Sequence, residues 1–268
     1  MIPKIIHFIW VGSQEKSELL QNCISSWKKF CPEYQIIEWG NDCLAKIENQ
    51  YVKEAAEMEK WAFVSDYIRL LALKEMGGFY FDTDLEITNN LDEFRNFEFI
   101  TGFEKSGTRR ARPVTALMGA CKNNSLISNL LDEYNDLSFV NDGVLDLTPN
   151  TDRITRHFRK NFRIKRWNDG NSMVVLREGC VVFPYFYFCT PKVGKLNYGI
   201  HHFNGSWRKP GNRKNIGKIG KWRLVKFSFE LSSVDDIQLD ETEKLIYVVT
   251  FKVGKRRSLA LIGKNSPV

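Results

Sequence analysis

Two aspartates separated by one residue, Asp82 and Asp84, have the side chains and the spacing that best suit chemistry in this chain. Carboxylates so close together repel each other unless a positive charge lies beside them. A divalent cation such as Mg²⁺ or Mn²⁺ would supply that charge, because it takes oxygen ligands from one or two carboxylates and from the phosphates of a substrate. The pair therefore indicates metal-dependent chemistry on a diphosphate-bearing substrate, and nucleotide sugars are the leading class.

The elements around the pair decide its meaning, because an isolated Asp-x-Asp is more often a turn in a solvated loop. Residues 61–76 have the helical spacing of apolar side chains, Gly77-Gly78 ends that helix, and residues 79–81 are strand formers. The aspartates thus follow a buried strand, at the place where open α/β sheets present groups to a ligand. This placement favours a functional site over a solvated turn.

Three segments of the chain, in this order, resemble glycosyltransferase family 32. They are IPKIIHFIWVG at the start, WAFVSDYIRLLALKEMGGFYFDTDLEI in the middle and IHHFNGSW later. The resemblance spans residues 2–207 and extends more distantly to the catalytic domains of the large clostridial glucosylating toxins and to the fungal initiating mannosyltransferases. It implies an α/β GT-A nucleotide-sugar transferase fold, with a Rossmann-like mixed central sheet flanked by helices. It also implies a divalent metal at the Asp-x-Asp motif and sugar transfer with retention of anomeric configuration.

The resemblance assigns roles to residues of the middle segment. Asp84 would bind the metal, Asp82 would hold the ribose or a metal-bound water, and Tyr80 would line the same pocket. Asp66 and Arg69 match the family's Ser-Asp-x-x-Arg element, which contacts the hydroxyls of the donor sugar. One helical turn separates these two residues, so both can face one cleft; a surface i,i+3 ion pair is the alternative. The candidate catalytic residues are Asp82, Asp84 and Arg69.

The first segment predicts a strand over residues 5–10 that ends near Gly12. The resemblance places Ile9 and Trp10 against the donor nucleotide, where Trp10 would stack on uracil or another base. Without the resemblance, a large aromatic at a strand end is more often a core residue. His7, inside the strand, is predicted to be a core histidine with satisfied hydrogen bonds rather than a ligand.

The third segment brings an imidazole, a hydroxyl and an indole into one short loop. Imidazole can complete a Mn²⁺ shell built mainly of oxygen, and Ser206 and Trp207 can donate hydrogen bonds to phosphate oxygens. Of the two neighbouring histidines we favour His202 over His201 as the metal ligand, because its sequence distance from Trp207 matches that between the toxins' acidic metal ligand and their phosphate-binding tryptophan. The alternative is that one histidine packs in the core and the other caps a turn.

Together these assignments imply a retaining hexosyltransferase that depends on Mn²⁺ or Mg²⁺. The expected donor is a nucleotide sugar, UDP-hexose above all, and the expected acceptor is a saccharide or lipid-linked saccharide of a surface polysaccharide or glycolipid. The metal would act as a Lewis acid on the leaving diphosphate, and the acceptor would attack on the face of departure, so no catalytic base is named. Two alternatives remain: a toxin-like transferase that modifies a host protein, and a basic binding module without catalysis.

Length and composition suit this interpretation. With 268 residues and 43% hydrophobic content, the chain has room for one GT-A catalytic domain, predicted over residues 1–207. No apolar run approaches the length of a membrane span, and the N-terminus lacks the pattern of a secretory signal. The six cysteines form no C-x-x-C pair. We therefore expect reduced thiols and a cytoplasmic location.

The basic charge is concentrated in a C-terminal extension, predicted over residues 208–268. Residues 1–207 contain 25 Lys and Arg against 26 Asp and Glu, whereas residues 208–268 contain 14 against 6. Residues 208–227 interleave cations with apolar side chains, which suits peripheral contact with anionic lipid on the inner face of the plasma membrane; a solvated basic linker is the alternative. Residues 245–251 and 258–262 predict a β-hairpin.

A second basic cluster lies between Arg153 and Arg166, in a region predicted to be helical. Such a cluster can follow phosphates, but no nucleic-acid motif accompanies it. We expect no nucleic-acid partner and assign the cluster to the acceptor cleft or the membrane face. Just before it, residues 148–152 occupy the place of a family loop that continues Thr-Gly-Pro. This chain has Asp152 and Arg153 instead, so an acceptor role of that loop is not carried over.

Overall fold

The computed structural model of this protein describes residues 1–105, 111–162 and 170–203, together with the backbone of four strands between 213 and 264. The helices are α1 (Glu18–Phe30), α2 (Asn41–Leu44), α3 (Gln50–Glu57), α4 (Trp61–Met76), α5 (Ser125–Asp132), α6 (Asn150–Asn161) and α7 (Tyr185–Phe188), with a 3₁₀ helix at Asp92–Asn96.

The strands follow the same chain order. They are β1 (Ile5–Ile9), β2 (Gln35–Trp39), β3 (Gly78–Phe81), β4 (Leu85–Ile87), β5 (Phe99–Glu104), β6 (Arg112–Ala120), β7 (Val140–Asn141), β8 (Val144–Leu145), β9 (Val174–Arg177), β10 (Cys180–Phe183), β11 (Gly199–His201), β12 (Arg213–Ile219), β13 (Trp222–Phe227), β14 (Glu243–Val253) and β15 (Lys255–Lys264).

A seven-stranded mixed sheet, ordered β2-β1-β3-β6-β5-β10-β9, forms the centre of the first compact unit. β1 pairs in parallel with β2 and β3, and β10 pairs in parallel with β5. The pairs that involve β6 or β9 are antiparallel. Because helices flank this mixed sheet, the predicted α/β class is confirmed.

The predicted helix, glycine stop and strand before the aspartates are all present. α4 ends at Met76, and Gly77 follows with a φ of +66°, a backbone conformation that glycine adopts without strain. β3 then begins at Gly78, and its four residues are buried. Since β3 lies between β1 and β6, both of its edges are hydrogen-bonded. The aspartates therefore follow an internal strand of the sheet.

The side chains of β3 alternate between two hydrophobic cores, one on each face of the sheet. Tyr80 belongs to the core that is formed with α3, α4, α5 and α6. Phe79 and Phe81 belong to the other core, which includes Trp27 of α1 and Phe94 of the 3₁₀ helix. Successive residues of a strand project to opposite faces, so this short strand ties both cores together.

A second compact unit contains the last four strands, ordered β12-β13-β15-β14 in an antiparallel sheet. β14 and β15 pair antiparallel at the place where the sequence predicts a β-hairpin. Residues 213–219 and 222–227, within the segment predicted to contact a membrane, are strands. In the described part of the chain, no helix has the length and apolarity needed to cross a membrane.

We predict that Gly78→Ala destabilises the protein far more than Gly143→Ala does. Both glycines have positive φ, so each alanine would be strained by about 1–2 kcal/mol. A Cβ at Gly78 would lie 2.7 Å from the Ile5 carbonyl oxygen, whereas a Cβ at Gly143 would have open space around it. The Gly78 variant should therefore lose about 3 kcal/mol or more of unfolding free energy in urea titrations. Equal losses in the two variants would contradict this packing.

Candidate active site

The turn between β3 and β4 positions the two aspartates. The backbone N–H of Asp82 donates to the Ala116 carbonyl at 2.8 Å, which holds the start of the turn on the neighbouring strand β6. Leu85 N–H donates to the Asp82 carbonyl at 3.0 Å and closes the turn. β4 then pairs antiparallel with β11. The carboxylates consequently lie between the main sheet and a small two-stranded sheet.

β11 brings an imidazole to these carboxylates. His201 Nε2 lies 3.4 Å from Asp84 Oδ1. One potential ligand atom from each of Asp82, Asp84 and His201 lies within 4.8 Å of the other two, so the three side chains could hold one metal ion. The Nδ1 atom of His201 is buried and lies 3.9 Å from Glu104 Oε2. Two carboxylates and one imidazole form a ligand set that suits Mn²⁺ or Mg²⁺.

His202, the histidine that the sequence analysis favours, occupies a different position. Its Nε2 lies 3.0 Å from Glu86 Oε2, and it is not part of the three-residue cluster. The register explains the difference: Ile200 pairs with Glu86, and His202 is two residues beyond Ile200, so His202 and Glu86 share one face of the small sheet. The structure therefore places His201, rather than the favoured His202, beside the two aspartates, and metal binding by either histidine stays a prediction.

Arg69 connects the predicted sugar-contact pair to the aspartate motif. Its guanidinium lies 2.8 Å from Asp66 Oδ1 and 3.2 Å from Asp82 Oδ1. Tyr80 donates its hydroxyl to the same Asp82 oxygen at 2.6 Å, and the guanidinium carbon of Arg69 lies 4.5 Å from the Tyr80 ring centroid. The Arg69 and Asp66 side chains are 5% and 12% exposed, so the alternative of a surface ion pair is wrong.

Burial changes the electrostatics of this network. Desolvation raises the pKa of Asp66 to about 6, although the positive charge of Arg69 opposes the rise. For His201, burial opposes protonation, but hydrogen bonds to Asp84 and Cys189 and the charges of Asp84 and Asp82 raise its pKa well above the usual value. A protonated His201 thus supplies positive charge where a metal ion would also do so.

The predicted nucleotide contacts lie at the same edge of the sheet. β1 and β3 are parallel neighbours, with Ile6 opposite Phe79, so the carboxyl ends of both strands meet there. Ile9 is buried, whereas Trp10 is partly exposed and donates its indole N–H to the Gln14 carbonyl at 2.9 Å. Base stacking by Trp10 stays a prediction.

His7 is a core histidine, as the sequence predicts. It is fully buried, its Nε2 lies 2.7 Å from the Gly77 carbonyl, and its Nδ1 accepts a hydrogen bond from the Trp39 indole at 3.1 Å. The last two predicted phosphate donors, Ser206 and Trp207, lie outside the described residues.

Comparison with known proteins identifies the segment that carries this network. Residues 17–100 match the model of a family described as "Glycosyltransferase sugar-binding region containing DXD motif". The predicted resemblance to DXD glycosyltransferases is confirmed. The matched segment contains Asp66, Arg69, Tyr80 and both aspartates of the turn, whereas Trp10 and His201 lie outside it.

A curated relative and two solved structures are also similar to the chain. An uncharacterized glycosyltransferase of Acanthamoeba polyphaga mimivirus is 33% identical over 109 residues, which are 37% of this chain and 42% of that protein. The matched part is thus less than half of the relative's length. PaToxG glycosyltransferase is 21% identical with a TM-score of 0.45, covering 60% of this chain and 70% of its own. A glycosyltransferase involved in the glycosylation of the major capsid of PBCV-1 is 11% identical with a TM-score of 0.45. The match covers 76% of this chain and 95% of that protein's chain.

Sequence reasoning missed a group of buried polar side chains beside Asp66. Tyr51 of α3, Tyr134, and Asn150 and Arg153 of α6 each have a buried polar atom without a hydrogen-bond partner. The guanidinium carbon of Arg153 lies 5.5 Å from the ring centroids of both tyrosines. Burial has the largest effect on the pKa of Asp66 and raises it, whereas Asn150 and Arg153 both lower it. Because these effects act over short distances, both residues lie near the Asp66 carboxyl.

These unpartnered groups extend the site from α4 toward α6. Arg153 forms an ion pair with Asp146, so its charge is already balanced. A buried polar group without a partner costs stability, and a water molecule or a hydroxyl group can satisfy it.

Asp66→Asn should change how stability depends on pH. Because burial raises the pKa of the folded-state carboxyl from 3.8 to about 6, its stabilising contribution is complete below the unfolded-state value and is lost as pH rises through the folded-state value. Between about pH 4 and pH 7, the unfolding free energy of the wild type should fall by about 2 kcal/mol relative to the variant. Urea titrations across this range measure the difference.

The exposed Asp136 provides the control for this measurement. An Asp136→Asn variant makes the same substitution at an exposed position, so it controls for effects of the substitution that do not depend on burial. If the Asp66→Asn difference from the wild type does not change with pH, the proposed desolvation of Asp66 is wrong.

Proposed function

We propose that this protein is a metal-dependent retaining glycosyltransferase of the GT-A type, which transfers a hexose from UDP-hexose to a saccharide or lipid-linked saccharide. The observation that carries the proposal is the meeting of Asp82, Asp84 and His201 within 4.8 Å, directly beside the Asp66–Arg69 pair. The family match supports it, because the matched segment holds both the DXD motif and this pair.

The residues at the turn fit a divalent cation. Asp82 and Asp84 offer oxygen ligands, and His201 would offer a nitrogen after it loses its proton. Mn²⁺ or Mg²⁺ bound there would supply Lewis-acid stabilisation of the leaving diphosphate.

Arg69 sets the geometry of the site in this proposal. It is buried between Asp66 and Asp82, and its guanidinium also donates to Ser65, at 3.2 Å to the carbonyl and 3.1 Å to the hydroxyl. Because one planar guanidinium binds all of these groups, it restricts the two carboxylates to one arrangement. Asp66 and Arg69 would then bind and orient the hydroxyls of the donor sugar, while Asp82 holds the ribose side of the donor.

Retention fits this set of residues. Asp66 and Asp82 pair with Arg69, and Asp84 lies beside His201, so the proposal assigns none of these three carboxylates to attack on the anomeric carbon. The acceptor oxygen would therefore attack the anomeric carbon on the face from which the diphosphate departs. The bond from that carbon to the diphosphate would break as the new bond forms, and a leaving phosphate oxygen would take the hydroxyl proton. The site would contribute by binding the two substrates in a fixed orientation and by excluding water. We propose that the product belongs to a surface polysaccharide or a glycolipid.

Donor hydrolysis tests the proposal. The protein is incubated with Mn²⁺ and a panel of nucleotide sugars, and release of the nucleoside diphosphate is measured for the wild type, Asp84→Asn and Glu86→Gln. Asp84→Asn should lower the release by at least about 100-fold, because it removes a metal ligand. Glu86→Gln, a matched loss of charge two residues away, should change it by less than about threefold, because Glu86 pairs with His202 instead.

The outcome of the panel distinguishes the candidate functions. Metal-dependent release from UDP-hexose that Asp84→Asn abolishes supports the proposal, and labelled-sugar transfer to lipid-linked saccharide rather than to protein supports the proposed acceptor. Transfer to protein acceptors would favour a toxin-like transferase. If no donor is hydrolysed and no nucleotide binds in a metal-dependent way, the chain is a binding module and the proposal is wrong.

The two neighbouring histidines should differ in their effect on metal affinity. His201→Gln should weaken Mn²⁺ binding at least about tenfold, because it removes the nitrogen beside Asp84. His202→Gln should weaken it by less than about threefold, because His202 lies beside Glu86. Titration calorimetry with UDP present measures both. If His202→Gln weakened Mn²⁺ binding more than His201→Gln, His202 would be the metal ligand, as the sequence predicts.

A further inference from the structure

The described strands of the C-terminal sheet are strongly basic. β12, β13, β14 and β15 together carry eleven Lys and Arg residues and one acidic residue, Glu243. The strand register shows that the charge is not even.

The register places seven of the eleven cations at one end of the sheet, which we call the basic end. β13 and β15 align Phe227 with Ser258, β12 and β13 align Arg213 with Phe227, and β14 and β15 align Lys252 with Arg256. The basic end comprises Arg213, Lys214, Lys226, Lys252, Lys255, Arg256 and Arg257, with contributions from all four strands.

The opposite end of the sheet has a different composition. It holds the remaining four cations, Lys218, Arg223, Lys244 and Lys264, and Glu243 is paired with Lys264 there. From the spacing of residues and strands, the basic end covers roughly 14 Å along the strands and roughly 14 Å across them. Seven cations and no acidic residue of the described strands lie within this area, so it would attract a polyanionic surface.

Apolar residues share the rows of the basic end. Lys226 is aligned with Leu259 and Leu259 with Val249, and Arg257 is aligned with Phe251. Lys255 is aligned with Val253. Several of the cations are consecutive residues, such as Arg256 and Arg257, and consecutive positions of a strand belong to opposite faces. The cations therefore share an end of the sheet rather than a face.

We propose that the basic end binds the surface of a membrane that contains anionic phospholipid. Cations near such a surface are attracted to the headgroups, and apolar residues between them favour the boundary with the acyl chains. The cytoplasmic leaflet of the plasma membrane has this anionic character. This interaction is independent of the proposed transferase chemistry.

Nucleic acid is the competing polyanion, and the composition of the basic end argues against it. Proteins that bind single strands without sequence preference use aromatic side chains, on which the bases stack, together with cations. Of the five apolar residues in these rows, Val249, Val253 and Leu259 are aliphatic and cannot stack with a base, whereas Phe227 and Phe251 are aromatic. Aliphatic side chains among cations suit a lipid interface instead.

Vesicle sedimentation with the full chain tests the proposal. One variant, Lys252→Glu with Arg256→Glu, reverses a cross-strand pair of the basic end. The matched variant, Lys244→Glu with Lys264→Glu, makes the same change in net charge on the same two strands at the opposite end. The vesicles contain either phosphatidylglycerol with phosphatidylcholine or phosphatidylcholine alone, at low and at high salt.

The wild type should bind the anionic vesicles at low salt and dissociate from them at high salt. It should not bind the neutral vesicles. Reversal at the basic end should weaken binding by roughly 100-fold, whereas the matched reversal should weaken it by less than about fivefold. The neutralising variant Lys252→Gln with Arg256→Gln, checked by circular dichroism together with the others, separates loss of charge from loss of folding.

Three results would overturn the proposal. Absence of binding to anionic vesicles would do so directly. Equal weakening by the two charge reversals would show that only net charge matters. Tighter binding to a single-stranded oligonucleotide than to the vesicles would show that the basic end serves a nucleic acid.

Discussion

Repulsion between Asp82 and Asp84 is the constraint on which the rest of the site depends. Two carboxylates are held at one turn of the chain, and their charge must be balanced in a partly buried place. Arg69 and Tyr80 contact the first carboxylate and His201 contacts the second. The helix before the turn and the strand that returns to it are therefore both needed to form the site.

The fold supplies these partners from elements that are far apart in the sequence. α4 carries Arg69 into the cleft with its side chain buried, and the pairing of β11 with β4 brings His201 across more than a hundred residues. The central strand β3 is fixed on both edges and packs into a core on each face. Close packing at Gly78 thus connects the stability of the sheet with the position of the aspartates.

Local patterns predicted the elements of the continuous segment that carries the aspartates, and the family resemblance marked the candidate site residues within it. The helix over 61–76, the glycine stop, the strand and the turn are read from periodicity and from strong breakers, and Asp66, Arg69, Tyr80 and Asp82 meet because they lie on consecutive elements. The position of each of the two adjacent histidines depends on the register of β11 against β4. A shift of that register by one residue would move every side chain of the strand to the opposite face. The buried group around Arg153 was missed because its members come from separate elements, although Asn150 and Arg153 share the buried face of α6.

The hydrogen bonds of one oxygen atom also bear on cation selectivity. Oδ1 of Asp82 accepts from the Tyr80 hydroxyl and lies beside the Arg69 guanidinium, so this carboxylate is engaged on one side before any ion arrives. If a cation bound this carboxylate, the two protein groups at Oδ1 would favour contact through the other oxygen alone. Calcium prefers many oxygen ligands and often uses bidentate carboxylates, whereas smaller ions such as Mg²⁺ accept few protein ligands and keep several waters. A tyrosine and an arginine that never touch the ion would in this way discriminate against calcium by limiting denticity.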